Sequence, residues 1–259
     1  VRFIGLGGTD EVGASCYLKA SPDNYELGAT RLLVDAGLRP SLQGEAGLPA
    51  LAQLDEHPLD LMVLTHAHLD HIGALPLVKR RFPKLPVYAT RATKRIALEV
   101  LADAVKVGES QGVSLYSLGE AVEAVARTLI ITPAEPLAFP GGQLTPYPAG
   151  HLLGAVGLLI ETEAGRLFHT GDFSNIAGLT TDPAYRTSPG GLVSFRGRGE
   201  RWGSGSLNAP ATPGCSVESF RLTLCPLYQR SSFGSKAALC RKPVSSVGTA
   251  LADSGWYNP

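Results

Sequence analysis

No run in this 259-residue chain approaches 18 consecutive apolar residues, so nothing in it reads as a membrane span. Cysteine is scarce: there are four, and Cys215, Cys225 and Cys240 stand at spacings that form no Cys-x-x-Cys pair. Disulfides are therefore not expected, and Cys16, in a strand-like run, reads as a small buried hydrophobe. Net charge is absent as well, since 23 basic residues balance 23 acidic ones. Residues 1–8 are apolar but lack the basic flank and cleavage pattern of a secretory signal, which points to the cytoplasm. The hydrophobic content, 44%, is ordinary for a soluble globular chain of one large domain or two small ones.

Histidine is also sparse, yet half of it is concentrated in one place. The six are His57, His66, His68, His71, His151 and His169. Three of them fall in Thr65-His66-Ala67-His68-Leu69-Asp70-His71, directly after the apolar run Leu61-Met62-Val63-Leu64. Folding alone does not ask for such a crowd, whereas a metal does. Imidazole nitrogen and carboxylate oxygen are the ligands of a catalytic zinc site that keeps a position open for water; a closed structural site more often uses thiolates. The cluster predicts hydrolysis.

The apolar run, bounded upstream by Pro58, reads as a buried strand, and residues 73–81 read as a short helix. An extended chain between them puts His66, His68 and Asp70 on one side by period two and turns His71 elsewhere. One segment could then feed two metals, His66 and His68 serving one, Asp70 and His71 the other. Residues 2–6, 14–19 and 31–34 also read as strands, separated by turn signals at Gly7-Gly8, Pro22-Asp23-Asn24 and Pro40. Thr90 can cap a helix whose apolar face is Ile96, Val100, Ala104 and Val107. Ser117 with Glu120 makes a capping box for a second helix carrying Val122, Val125 and Leu129. Residues 144–147, 156–161 and 166–169 return to strands. His151 and Asp172 land just past strand ends, where a rigid sheet can hold ligands to a metal's tolerance.

The pattern His-x-His-x-Asp-His after a strand resembles the metallo-β-lactamase superfamily of metallohydrolases. Its other landmarks occur in order: Asp35 in Leu32-Leu33-Val34-Asp35-Ala36-Gly37, His151 in Gly150-His151-Leu152-Leu153-Gly154, and Asp172 in Thr170-Gly171-Asp172-Phe173-Ser174. Gly7-Gly8-Thr9-Asp10-Glu11-Val12-Gly13-Ala14-Ser15-Cys16, and Pro86-Val87-Tyr88-Ala89-Thr90 leading into a helix, are similar to the β-CASP branch. That branch holds the nucleic-acid-cutting members, RNase J and the cleavage and polyadenylation endonuclease among them. The resemblance covers residues 1–185. It implies an α/β fold, the αββα sandwich with sheets flanking helices, of which this chain carries the N-terminal part.

It further implies two divalent ions, zinc or else manganese. His66, His68 and His151 would hold the first, Asp70 and His71 the second, with Asp172 bridging. Asp70 would also take the nucleophile's proton, and Asp35 would brace the metal loop. The first site should bind more tightly, because the family closes its second site with a later His and no His follows His169. The remaining candidates read as ordinary structure: His169 packed in a sheet, His57 in a surface loop, and Lys79-Arg80-Arg81 with Lys84 as a solvated helix end, with phosphate tracking the alternative.

The acidic motif and further histidines of β-CASP nucleases are likewise missing, and the composition changes near Tyr185. Residues 186–259 hold nine basic and three acidic side chains against 14 and 20 upstream, so the neutral chain divides into parts of about +6 and −6. Such asymmetry can mark a basic arm for nucleic acid, but these cations are scattered. The tail, interrupted by Pro226, Pro243 and many serines, shows no sustained periodicity, and is expected to be a frameshift product, a truncated gene model or disordered. Three functions follow. The leading one is an RNA phosphodiesterase; the others are a hydrolase of a thioester, lactone or β-lactam, and an inactive metal-binding homologue or scaffold. Oligomeric state and the mode of cutting are not legible.

Overall fold

The computed structural model describes residues 2–9, 13–20, 30–55, 59–163, 165–174, 178–182, 184 and 193–195. They form two sheets. Strands β1 (Arg2–Gly7), β2 (Cys16–Ala20), β3 (Arg31–Val34), β4 (Leu61–Val63), β5 (Val87–Ala89) and β6 (Leu129–Ile130) lie side by side in that order. The pairing is antiparallel from β1 to β3 and parallel from β3 to β6. The second sheet runs β11 (Val193–Phe195), β10 (Gly165–His169), β9 (Val156–Thr162), β8 (Gly142–Pro148), β7 (Leu137–Phe139). It is antiparallel except where β11 joins β10 in parallel. No periodicity announces β11, a three-residue strand inside a Gly-rich stretch.

Side-chain alternation sorts the apolar residues into two cores. Leu32, Val34, Leu61 and Val63 meet Leu144, Val156, Leu158, Ile160 and Leu167 between the sheets. Leu33, Met62 and Leu64 point the other way, into a core shared with Leu75, Val78, Leu101 and Ala121 of the helices. Strands β3 and β4 are covered on both faces, which is why they read as unbroken apolar runs. The described helices therefore all lie outside the paired sheets, against the first one, as the N-terminal part of an αββα sandwich has them; they are not enclosed between sheets. The fold is mixed α/β, and among the described residues no helix is long and apolar enough to cross a membrane.

The helices are α1 (Leu69–Ile72), α2 (Leu75–Arg81), α3 (Arg91–Ser110) and α4 (Leu118–Ala126). Thr90 caps α3 as expected, its hydroxyl accepting from the Thr93 amide at 3.2 Å. The buried stripe of α3 is Thr93, Ala97, Leu101 and Val105, one position on from the expected face, and Val107 is exposed. Ser117 and Glu120 form the capping box of α4. Val122 is exposed there, and Leu129 lies outside the helix on β6. Cys16 is a fully buried free thiol whose pKa is pushed up by burial and by Asp35. His57 and Tyr185 lie outside the described residues.

Candidate metal centre

Two features of the topology gather the predicted residues at one end of the sheets. Parallel β3 and β4 end together, so Asp35 follows one strand and Thr65-His66 the other. Antiparallel β9 and β10 place the start of the first beside the end of the second, which brings the loop of His151 and the turn of Asp172 together. The Val156 amide donates to the Thr65 carbonyl at 2.9 Å and ties the two sheets at this point.

The chain is extended only as far as His68, and Leu69 begins α1. Consequently His71 does not turn away as the period-two reading has it. One helical turn brings its ring to a centroid distance of 3.9 Å from that of His66. The turn is held by partners remote in sequence: Ser15 N–H donates to Asp70 O at 2.9 Å, Ala36 N–H to His71 O at 2.8 Å and Leu38 N–H to Leu69 O at 3.1 Å. Gly37 backs it so closely that a Cβ there would sit 1.7 Å from the Asp70 carbonyl oxygen.

His66 Nε2 and His151 Nε2 each stand 3.1 Å from His68 Nδ1, and Asp172 Oδ2 lies 4.0 Å and 3.8 Å from the first two. These four donor atoms lie within 4.8 Å of one another and could hold a metal ion. Ligands about 2.1 Å from a tetrahedral ion are separated by about 3.4 Å, in keeping with this spacing. A second set surrounds His71 Nε2, with Asp172 Oδ1 at 3.6 Å and Asp70 Oδ2 at 3.9 Å. The two oxygens of Asp172 thus face the two sets.

Asp35 fixes which ring nitrogens face inward. It is fully buried, with φ 60°, a backbone conformation that a non-glycine residue rarely adopts. Its Oδ1 accepts from the Thr65 amide and its Oδ2 from the Thr65 hydroxyl, both at 2.7 Å. The same Oδ2 lies 2.8 Å from His71 Nδ1, so Nδ1 carries the proton and Nε2 points to the site. Thr65 Oγ1, its own proton committed to Asp35, lies 3.1 Å from His66 Nδ1 and can only accept from it. That leaves His66 Nε2 as a lone pair. Three imidazole nitrogens and one carboxylate oxygen, gathered within reach of a single point, are a donor set that fits a divalent metal.

The titration behaviour follows from these surroundings. Burial, then the neighbouring His71, His151 and His68, push the pKa of His66 down. Burial also acts to lower that of His71, but the charge of Asp35 and hydrogen bonds with Asp172 and Asp35 outweigh it and raise the pKa to about 10.

The other predicted residues are structural. His169 is buried on β10 beside Tyr17, the ring centroids 5.3 Å apart. Lys79 donates to the carbonyls of Pro83 and Leu85, Arg80 pairs with Glu120, and Arg81 pairs with Asp55. Three further residues contribute without a signal of their own in the sequence. Thr65, inside the His/Asp cluster, takes its role from Asp35 and His66 beside it. Thr93 and Thr90 donate to Gly154 O at 3.0 and 2.8 Å and so anchor the loop of His151 to α3, a contact that no local pattern announces.

A two-sheet α/β scaffold with His and Asp donors collected at its strand ends is the architecture of a metal-binding α/β fold. Residues 25–217 match the metallo-beta-lactamase superfamily, and the chain belongs to that family. It is 36% identical to Endoribonuclease YSH1 of Kluyveromyces lactis over 183 residues, 67% of this chain and 23% of that protein. It is 34% identical to Endoribonuclease ysh-1 of Neurospora crassa over 180 residues, 67% and 20%. The chain thus spans less than a quarter of the length of these relatives. A B3 metallo-beta-lactamase with an active-site glutamic acid superposes with a TM-score of 0.44 at 17% identity, covering 73% of this chain and 68% of that one.

Proposed function

We propose that this chain carries the metal-binding half of a metal-dependent RNA phosphodiesterase, with His66, His68, His151 and Asp172 as ligands of one ion and Asp70, His71 and Asp172 of another. The observation that carries the reading is the division of Asp172, one oxygen toward each donor set. The names of the YSH1 relatives support RNA as the substrate class. Zinc suits the mixed nitrogen and oxygen donors, as does manganese.

When bound, such a pair of ions supplies a water-derived nucleophile near neutral pH and a positive clamp for phosphoryl oxygens. The chain's own residues do the rest. Asp35 and Thr65 fix the tautomers of His71 and His66. Asp70 is partly exposed, and with Oδ2 given to the second set its other carboxylate oxygen is left to accept the proton released as water attacks. Asp172 holds the two sets in register.

Labelled RNA and a chromogenic thioester, each incubated with and without chelator, test the reading. Cutting of RNA that needs metal and is abolished in a folded Asp70→Ala variant is the expected result. Turnover of the thioester alone, or cutting that survives chelation, contradicts it.

A further inference from the structure

The glycine-rich stretch 7–16 supplies none of the donors described so far, yet it reaches the second set through Ser15. Resting on the metal-site reading above, we propose that Ser15 Oγ is a further oxygen ligand of the ion held by Asp70, His71 and Asp172.

Ser15 is nearly buried and lies against this donor set. Ala14 is held at φ 51°, its amide donating to Leu38 O at 3.0 Å. The Ser15 amide donates to Asp70 O, and its carbonyl accepts from Gly37 N–H, both at 2.9 Å. Residues 13–15 therefore hang directly on the turn that carries Asp70 and His71. This arrangement brings Ser15 Oγ to 3.3 Å from His71 Nε2, closer than Asp172 Oδ1 at 3.6 Å or Asp70 Oδ2 at 3.9 Å. Three oxygens thus surround one imidazole nitrogen, at separations suited to ligands sharing one small cation.

The polarity of the hydroxyl agrees. Tyr17 Oη donates its one proton to Gly8 O at 2.9 Å and is also hydrogen-bonded to Ser15. With the Tyr17 proton spent on Gly8 O, the Ser15 hydroxyl can turn its own proton to Tyr17 Oη and a lone pair toward His71 Nε2 and the site. Tyr17 and the Gly8 turn thereby orient Ser15, giving the early glycine motif a chemical task at the centre.

Competition titration of metal-stripped protein with zinc tests this, comparing wild type with Ser15→Ala, and cobalt spectra of Ser15→Cys give a second readout. Ser15→Ala should weaken the second equivalent about tenfold or more while leaving the first unchanged, judged by what well-placed groups around metal sites contribute. Ser15→Cys should add a sulfur-to-cobalt charge-transfer band absent from wild type. A variant Ser15→Ala that binds both equivalents as wild type does, or loses both alike, overturns the assignment, as does Ser15→Cys without the band. Wild type that takes up no metal overturns the underlying metal-site reading and this inference with it.

Discussion

Oδ2 of Asp35 lies 2.8 Å from Nδ1 of His71 while also accepting the Thr65 hydroxyl at 2.7 Å. One buried carboxylate thereby orients His71 directly and His66 through Thr65. Asp35→Asn keeps the shape but puts an amide opposite the Thr65 and His71 donors. Zinc affinity should fall about 10- to 100-fold, measured by chelator competition. Unchanged affinity would show that the tautomers are set by something else.

Gly37 approaches the metal turn too closely for any side chain, since a Cβ would meet the Asp70 carbonyl oxygen at 1.7 Å. Gly37→Ala should push α1 outward, costing about 1–3 kcal/mol of stability, the usual range for overpacking a tight site. Metal content should drop with it. Urea unfolding and metal analysis of the variant check both.

In the metal-free protein the two buried histidines respond to pH in opposite directions. Unfolded, both titrate near about pH 6.5. His66 is pushed down, so the unfolded chain binds its proton first and stability falls as the pH drops below about 6.5. His71 is raised to about 10, so its contribution is complete below about 6.5 and is lost as pH climbs toward about 10. Urea midpoints of chelated protein should pass through a maximum near about pH 6.5 and fall on both sides. A midpoint that rises steadily from acid to alkali contradicts these assignments.

The capping box of α4 lies on the outer layer. Ser117→Ala should cost about 1 kcal/mol, as N-cap losses do, with zinc affinity unaltered. Chemical denaturation beside a metal titration separates the two effects, and a change in affinity would mean that α4 is coupled to the centre.

Much of this was legible in the residues, for physical reasons that also explain what was not. Strands β3, β4, β8, β9 and β10 could be read because their apolar runs are long enough to show, and α3 and α4 because Thr90 and Ser117 cap them. The donors His66, His68, Asp70, His71, His151 and Asp172 were named from pattern and resemblance, and the fold brings all six together. The orientation of His71 was hidden because α1 is a single turn whose carbonyls find partners at Ser15, Ala36 and Leu38, which no local window contains. The buried face of α3 is masked in the sequence because it relies on Thr93, which is polar but bonded to Gly154 O, and on small Ala97. Strands β6 and β7 are as short as β4 or shorter but lack its fully buried run, their residues being exposed or half-buried, so nothing sets them off from loop.

The most direct test is zinc titration of stripped protein, repeated on a His66→Ala, His68→Ala double variant. Wild type should take up two ions, the first more tightly than the second, and the double variant should lose the tight one. Wild type that stays empty, or a double variant that binds zinc unchanged, would contradict the assignment of these histidines to a metal.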